Sequence, residues 1–160
     1  MMRRWLAIAA VIVVVDQAVK YAVVQYFAVH PPIAVTSFLN LVLVYNTGAA
    51  FSFLADAAGW QRGFFIAIAL VASAWIVYLL RKYQRPSAFA VALTLVLAGA
   101  VGNVIDRIVI GSVVDFLDFH AFGYHWPAFN VADSAITCGA VLLVWDALRP
   151  LRGRAEQATL

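Results

Sequence analysis

Two aspartates stand out for the chemistry they could do. Asp115, in Val113-Val114-Asp115-Phe116, and Asp133, in Asn130-Val131-Ala132-Asp133-Ser134, sit in apolar surroundings with no basic residue beside them in sequence. Two carboxyls sharing a site of low dielectric cannot both ionise easily, so their titrations separate. One is left as a base that activates water and the other as an acid toward a carbonyl. Competing chemistries have less support. No G-x-S-x-G is present, and a serine and lysine pair drawn from Ser52 or Ser112 with Lys20 has no supporting spacing. His120 and His125 could join Asp115 and Asp118 around a metal ion, but H-E-x-x-H and any spaced cysteine set are absent. On these residues no metal is expected.

The elements that must position these residues are membrane helices. Of the 160 residues, 65% are hydrophobic and 12% charged, against roughly 45–50% and about 25% in a soluble domain. Too few polar groups remain to cover a water-soluble globule. A single cysteine, Cys138, excludes a disulfide framework. The expected fold is an all-α membrane protein, one domain over 1–160, with four transmembrane helices at about 5–27, 64–80, 88–106 and 130–148. Asp16, Gln17 and Lys20 fall where a cleavable leader would need small residues, so the first segment is read as a retained helix.

Charge gives the direction. Eight of the eleven Lys and Arg residues (Arg3, Arg4, Arg81, Lys82, Arg85, Arg149, Arg152 and Arg154) fall at one end of the helices, leaving Lys20, Arg62 and Arg107 for the other. The positive-inside rule then places both termini in the cytoplasm and segments 28–63 and 107–129 outside. This clustering is a topology signal, and nucleic acid binding is not expected. Val35 to Tyr45, rich in Val, Leu, Phe and Thr, predicts a small extracytoplasmic β-rich region. The segment from Gly111 to Phe129 reads as an aromatic outer loop at the headgroup layer.

On this topology the polar residues converge. Charges within a span cost roughly 2.5–3.5 kcal/mol each at the centre on insertion scales and usually face the bundle interior. Asp16 and Lys20 share a face of the first helix; Asn103, Asp106 and Arg107 close the third; Asn130, Asp133, Ser134 and Thr137 open the fourth. All fall in the outer half of the membrane. Blander roles exist for several: Asn130 as a helix N-cap, Lys20 snorkelling toward headgroups, Asp106 and Arg107 as an interfacial pair, and Gly99 and Gly102 as close-packing positions. A small proton-coupled transporter could also use such acids, and a non-catalytic assembly subunit could use the aromatic loop.

Five ordered blocks carry a resemblance. They are Asp16-Gln17 with Lys20; Asn46-Thr47-Gly48-Ala49-Ala50-Phe51-Ser52; Gly102-Asn103-Val104-Ile105-Asp106-Arg107; Val113-Val114-Asp115-Phe116; and Phe129-Asn130-Val131-Ala132-Asp133-Ser134. Over essentially its whole length the chain resembles the lipoprotein, or type II, signal peptidases, with Val19 where members often have Ser or Thr. The resemblance implies an aspartic endopeptidase of the bacterial inner membrane that removes the signal peptide from diacylglyceryl-modified prolipoproteins. It implies a catalytic dyad of Asp115 and Asp133 and no metal or organic cofactor. Asp16, Lys20, Asn46, Gly48, Asn103, Asp106, Arg107 and Asn130 are implied as supporting or substrate-binding. Implied partners are the prolipoprotein, membrane lipid and the inhibitor globomycin, with the enzyme acting as a monomer.

Overall fold

A computed structural model describes residues 2–48, 59–83 and 87–148. Ala49, Ala50, Phe51, Ser52, Arg85, Arg149, Arg152 and Arg154, all used in the sequence reading, lie outside these. The described chain runs α1 (Met2–Phe27), β1 (Ile33–Ala34), β2 (Leu39–Asn46), α2 (Trp60–Lys82), α3 (Ala88–Val109), β3 (Val113–Ala121), β4 (Tyr124–His125) and α4 (Val131–Leu148). It is mostly helical. All four helices are long and apolar enough to cross a membrane.

The helices begin and end where local chemistry dictates. Ser87 caps α3, its hydroxyl accepting the Ala90 amide at 3.2 Å. At the other end Gly111, at φ +92°, turns the chain out of the helix toward β3. α3 is the central rod, packed against α1, α2 and α4, while α2 and α4 are held through it. Its neighbours leave their other faces outward: Val11, Val14, Val71, Trp75, Val141 and Trp145 are exposed, which suits contact with lipid tails rather than water.

The core proper is the α1, α2 and α3 junction of Trp5, Ala9, Ile76, Leu80, Leu93 and Leu97. It lies away from the sheet. The ends of α1 and α3 and the starts of α2 and α4 lead into or out of the strands, so one end of the bundle carries them all.

The sheet is four-stranded and antiparallel in the order β1-β2-β3-β4. The second connection was expected as an aromatic loop; it instead supplies β3 and β4. Val113 to Ala121 has the β-branched and aromatic content of a strand, and Phe122-Gly123, both at positive φ, make the two-residue hairpin turn. β2 pairs β3 with Asn46 opposite Val113 and Val44 opposite Asp115, the register shifting between Leu41 and Val44.

Candidate active site

The polar residues meet between the sheet and the adjoining ends of the helices. Asp16, Lys20, Asp106, Asp115 and Asn130 are each 3% exposed or less. At such burial every charge needs a partner, and each has one. Lys20 Nζ lies 2.9 Å from Asp16 Oδ2 and 2.8 Å from Asp106 Oδ2, and donates to Asn103 Oδ1 at 3.0 Å. Its three protons are thus engaged. Lys20 neither snorkels nor stands free as a base for Ser112.

Asn130 joins the two aspartates. Its side-chain oxygen accepts the Asp133 amide at 2.8 Å, which is the N-cap bond of α4. Its side-chain nitrogen donates to Asp115 Oδ1 at 2.7 Å. Capping and bridging are therefore one role. Asp133 Oδ1 accepts from Asn103 Nδ2 at 2.7 Å, and Asp115 Oδ2 accepts from Asn46 Nδ2 at 3.0 Å. Asn46 in turn takes the Gly48 amide on its oxygen at 3.0 Å, a local turn of Asx type.

Burial, then the nearby charge of Asp133, pushes the Asp115 carboxyl up to about 7, against the bonds from Asn46 and Asn130 and the charge of Lys20. A carboxyl so placed holds its proton near neutral pH. Arg107 does not pair with Asp106, which belongs to Lys20. Its guanidinium donates to the Gly48 carbonyl at 2.8 Å and lies 5.0 Å over the Phe65 ring.

A cavity of about 820 Å³ opens beside this cluster. Asn46, Gly48, Asn103, Arg107 and Asp133 form its polar end; Ile68, Ala72, Ala100, Ile136 and Cys138 line its apolar length between α2, α3 and α4. Asp16, Lys20, Asp106 and Asn130 stand behind that wall, and Asp115 adjoins it through the bond from Asn46. Residues the sequence reading did not single out for the site also contribute: Phe65, Pro127 and Phe129 line the cavity. Gln17, part of the first matching block but given no role of its own there, donates to Asp106 Oδ1 at 2.8 Å.

Of the residues considered for a metal, Asp115 is parted from the other three. Asp115 faces Asn46 and Asn130, whereas Asp118 lies at the far end of β3, its oxygens 2.8 and 3.0 Å from His125 Nδ1. His120 stacks on His125 there at 5.1 Å.

Fold and site together define a multi-pass membrane protein with a buried acid cluster at the head of an apolar groove. A family model described as signal peptidase (SPase) II matches residues 8–149. The lipoprotein signal peptidase of Cupriavidus necator is 58% identical over 148 residues, 92% of this chain and 85% of that protein. That of a Janthinobacterium species is 57% identical over 145 residues, 91% and 88% of the two chains. A bacterial membrane enzyme solved at 2.3 Å superposes with a TM-score of 0.81 at 35% identity, covering 91% of this chain and 88% of that one. A second, solved at 1.9 Å, gives 0.78 at 35% identity over 91% and 93%. The chain belongs to the signal peptidase II family. It is a peptidase, and the transporter and assembly-subunit readings give way to that.

Proposed function

We propose that this peptidase is an intramembrane aspartic endopeptidase. It removes the signal peptide from diacylglyceryl-modified bacterial prolipoproteins and cuts just before the lipidated lipobox cysteine. One observation carries the reading: Asn130 bonds both Asp115 and the amide of Asp133 at the head of an apolar groove of about 820 Å³. The names of the curated relatives support the substrate class.

In this reading Asp133, which lines the groove, takes a proton from water as the hydroxyl attacks the scissile carbonyl carbon. Asp115, protonated near neutral pH, gives its proton to the carbonyl oxygen. Collapse of the gem-diol returns that proton to Asp115. The proton on Asp133 passes to the leaving nitrogen, which becomes the amino terminus of the lipidated cysteine. Asn46 and Asn130 orient Asp115, and Asn103 orients Asp133. Arg107 and Gly48 border the polar end where the substrate backbone would lie. The signal peptide, itself a membrane helix, would enter between α2 and α4, which are not packed on one another.

The chain acts as one domain and as a monomer, in the bacterial inner membrane, with the sheet and site toward the outer face and both termini cytoplasmic. The clustering of Lys and Arg at the opposite ends of the helices supports this orientation.

The test is cleavage of a diacylated lipobox peptide by purified protein. Asp115→Asn and Asp133→Asn should each lower turnover at least about a thousandfold, as loss of an essential catalytic group does, with a thermal transition retained. Globomycin should compete with the peptide. Either variant working near the wild-type rate would overturn the dyad.

A further inference from the structure

We infer that Asp16, Lys20, Asp106 and Gln17 form a brace that sets the separation of Asp115 and Asp133 by gripping the backbone amide immediately ahead of each. This rests on the dyad reading above and assigns a positioning role to residues that do not line the groove.

The two arms mirror one another. Asp16 Oδ1 accepts the Ala132 amide at 2.8 Å, and Ala132 precedes Asp133. Asp106 Oδ2 accepts the Val114 amide at 3.1 Å, and Val114 precedes Asp115. Lys20 Nζ joins the arms at 2.9 and 2.8 Å. Gln17 joins them a second time without charge, its side-chain nitrogen 2.8 Å from Asp106 Oδ1 and 3.2 Å from Asp16 Oδ2. The same nitrogen donates to the Gly102 carbonyl at 3.2 Å, tying the brace to α3. Gly102 makes the approach possible: a Cβ there would come within 2.7 Å of Asp16 Oδ2.

Stability alone does not call for this arrangement, because buried ion pairs can often be replaced by apolar residues without loss. What an apolar replacement cannot do is hold an N–H. Val114 and Ala132 are both 0% exposed, so water cannot stand in for the lost acceptor. Each gripped amide lies one residue, about 3.8 Å of Cα spacing, from the Cα that bears a reacting carboxyl. Asn130 and Phe129 already tie β3 to the head of α4; the brace adds a second tie, from α1 and α3, that fixes where the two elements present their carboxyls. Reacting groups displaced by about 1 Å can cost on the order of a hundredfold in rate.

The charged groups facing the dyad are Asp16 and Lys20 from α1 and Asp106 and Arg107 from α3. The experiment measures kcat, KM and the pH-rate profile of Asp16→Asn, Asp106→Asn and Gln17→Met on a diacylated lipobox peptide, with thermal unfolding alongside. The aspartate variants should lose on the order of a hundredfold in kcat and Gln17→Met on the order of tenfold, with KM little changed.

A looser dyad is a less coupled one, so the two limbs of the bell should draw together. In Asp16→Asn and Asp106→Asn the whole bell should also move to lower pH, because a negative charge has gone. In Gln17→Met, which removes no charge, it should narrow in place. Loss of rate that only tracks loss of folded protein, with the width of the bell unchanged, would overturn the brace, as would unchanged kcat. If the aspartate variants do not fold, Gln17→Met decides by the same criterion. Cleavage by Asp115→Asn or Asp133→Asn would instead condemn the dyad itself.

Discussion

At the scale of single residues, the role proposed for Asp115 comes with a cost in stability. Its carboxyl is pushed from 3.8 up to about 7, first by burial and then by Asp133. Between those values the folded protein keeps a proton that the unfolded chain has released. Stability therefore falls as pH rises from about 4 to about 7, and the penalty is fully developed above that range. At about 1.4 kcal/mol per pKa unit the full penalty is on the order of 4 kcal/mol. The melting temperature of the wild-type protein in detergent should decline between pH 5 and 8, and that of Asp115→Asn should decline less. Equal slopes would mean that Asp115 ionises freely in the folded state. Both aspartates were legible in sequence because each sits among apolar residues with no basic neighbour, an unusual place for a carboxyl. The hydrogen bond from Asn46 to Asp115 was not, since 69 residues separate the pair and only a strand register unites them. Gln17 was hidden for a similar reason: its partners Asp106 and Gly102 lie on another helix.

At the scale of elements, the site depends on how closely α4 lies on α3. A Cβ at Gly99 would overlap the Ala132 carbonyl oxygen and come within 2.6 Å of Ile136 Cγ1, and one at Gly139 would come within 2.7 Å of the Ala92 carbonyl oxygen. Ala132 is also the residue whose amide Asp16 holds. Gly99→Ala should therefore destabilise the protein by about 1–3 kcal/mol, the usual range for overpacking, and lower cleavage by moving Asp133. Gly63, in α2, has nothing within 4 Å of an added Cβ. Gly63→Ala should stabilise by about 0.5–1 kcal/mol through helix propensity and leave cleavage unchanged. Thermal unfolding of the two variants side by side is the check, and equal effects would refute the packing argument. The four helices were legible because apolar runs of spanning length have few alternatives. β3 was obscured by its aromatic residues, which suit the headgroup layer and a strand equally well; the pairing with β2 decides between them.

At the scale of the whole molecule, the proposed orientation rests on charge and the site's position on the fold. Arg81 and Lys82 end α2 far from the sheet, and Arg3 and Arg4 lie in the first turns of α1, at that same end. The sheet end instead presents Phe122, Tyr124 and Trp126, all exposed, as residues suited to a membrane interface. A bundle so polarised should insert in one direction only. The groove, opening beside Asp133 at the sheet end, would then meet a signal peptide near the outer headgroups. Single cysteines placed in a Cys138→Ala background test this in spheroplasts with a membrane-impermeant maleimide. Phe122→Cys, at the hairpin tip, should be modified in intact spheroplasts. Lys82→Cys should react only after the membrane is opened. The reverse pattern would put the candidate dyad on the cytoplasmic side, where it would not meet the cleavage site of a signal peptide spanning outward.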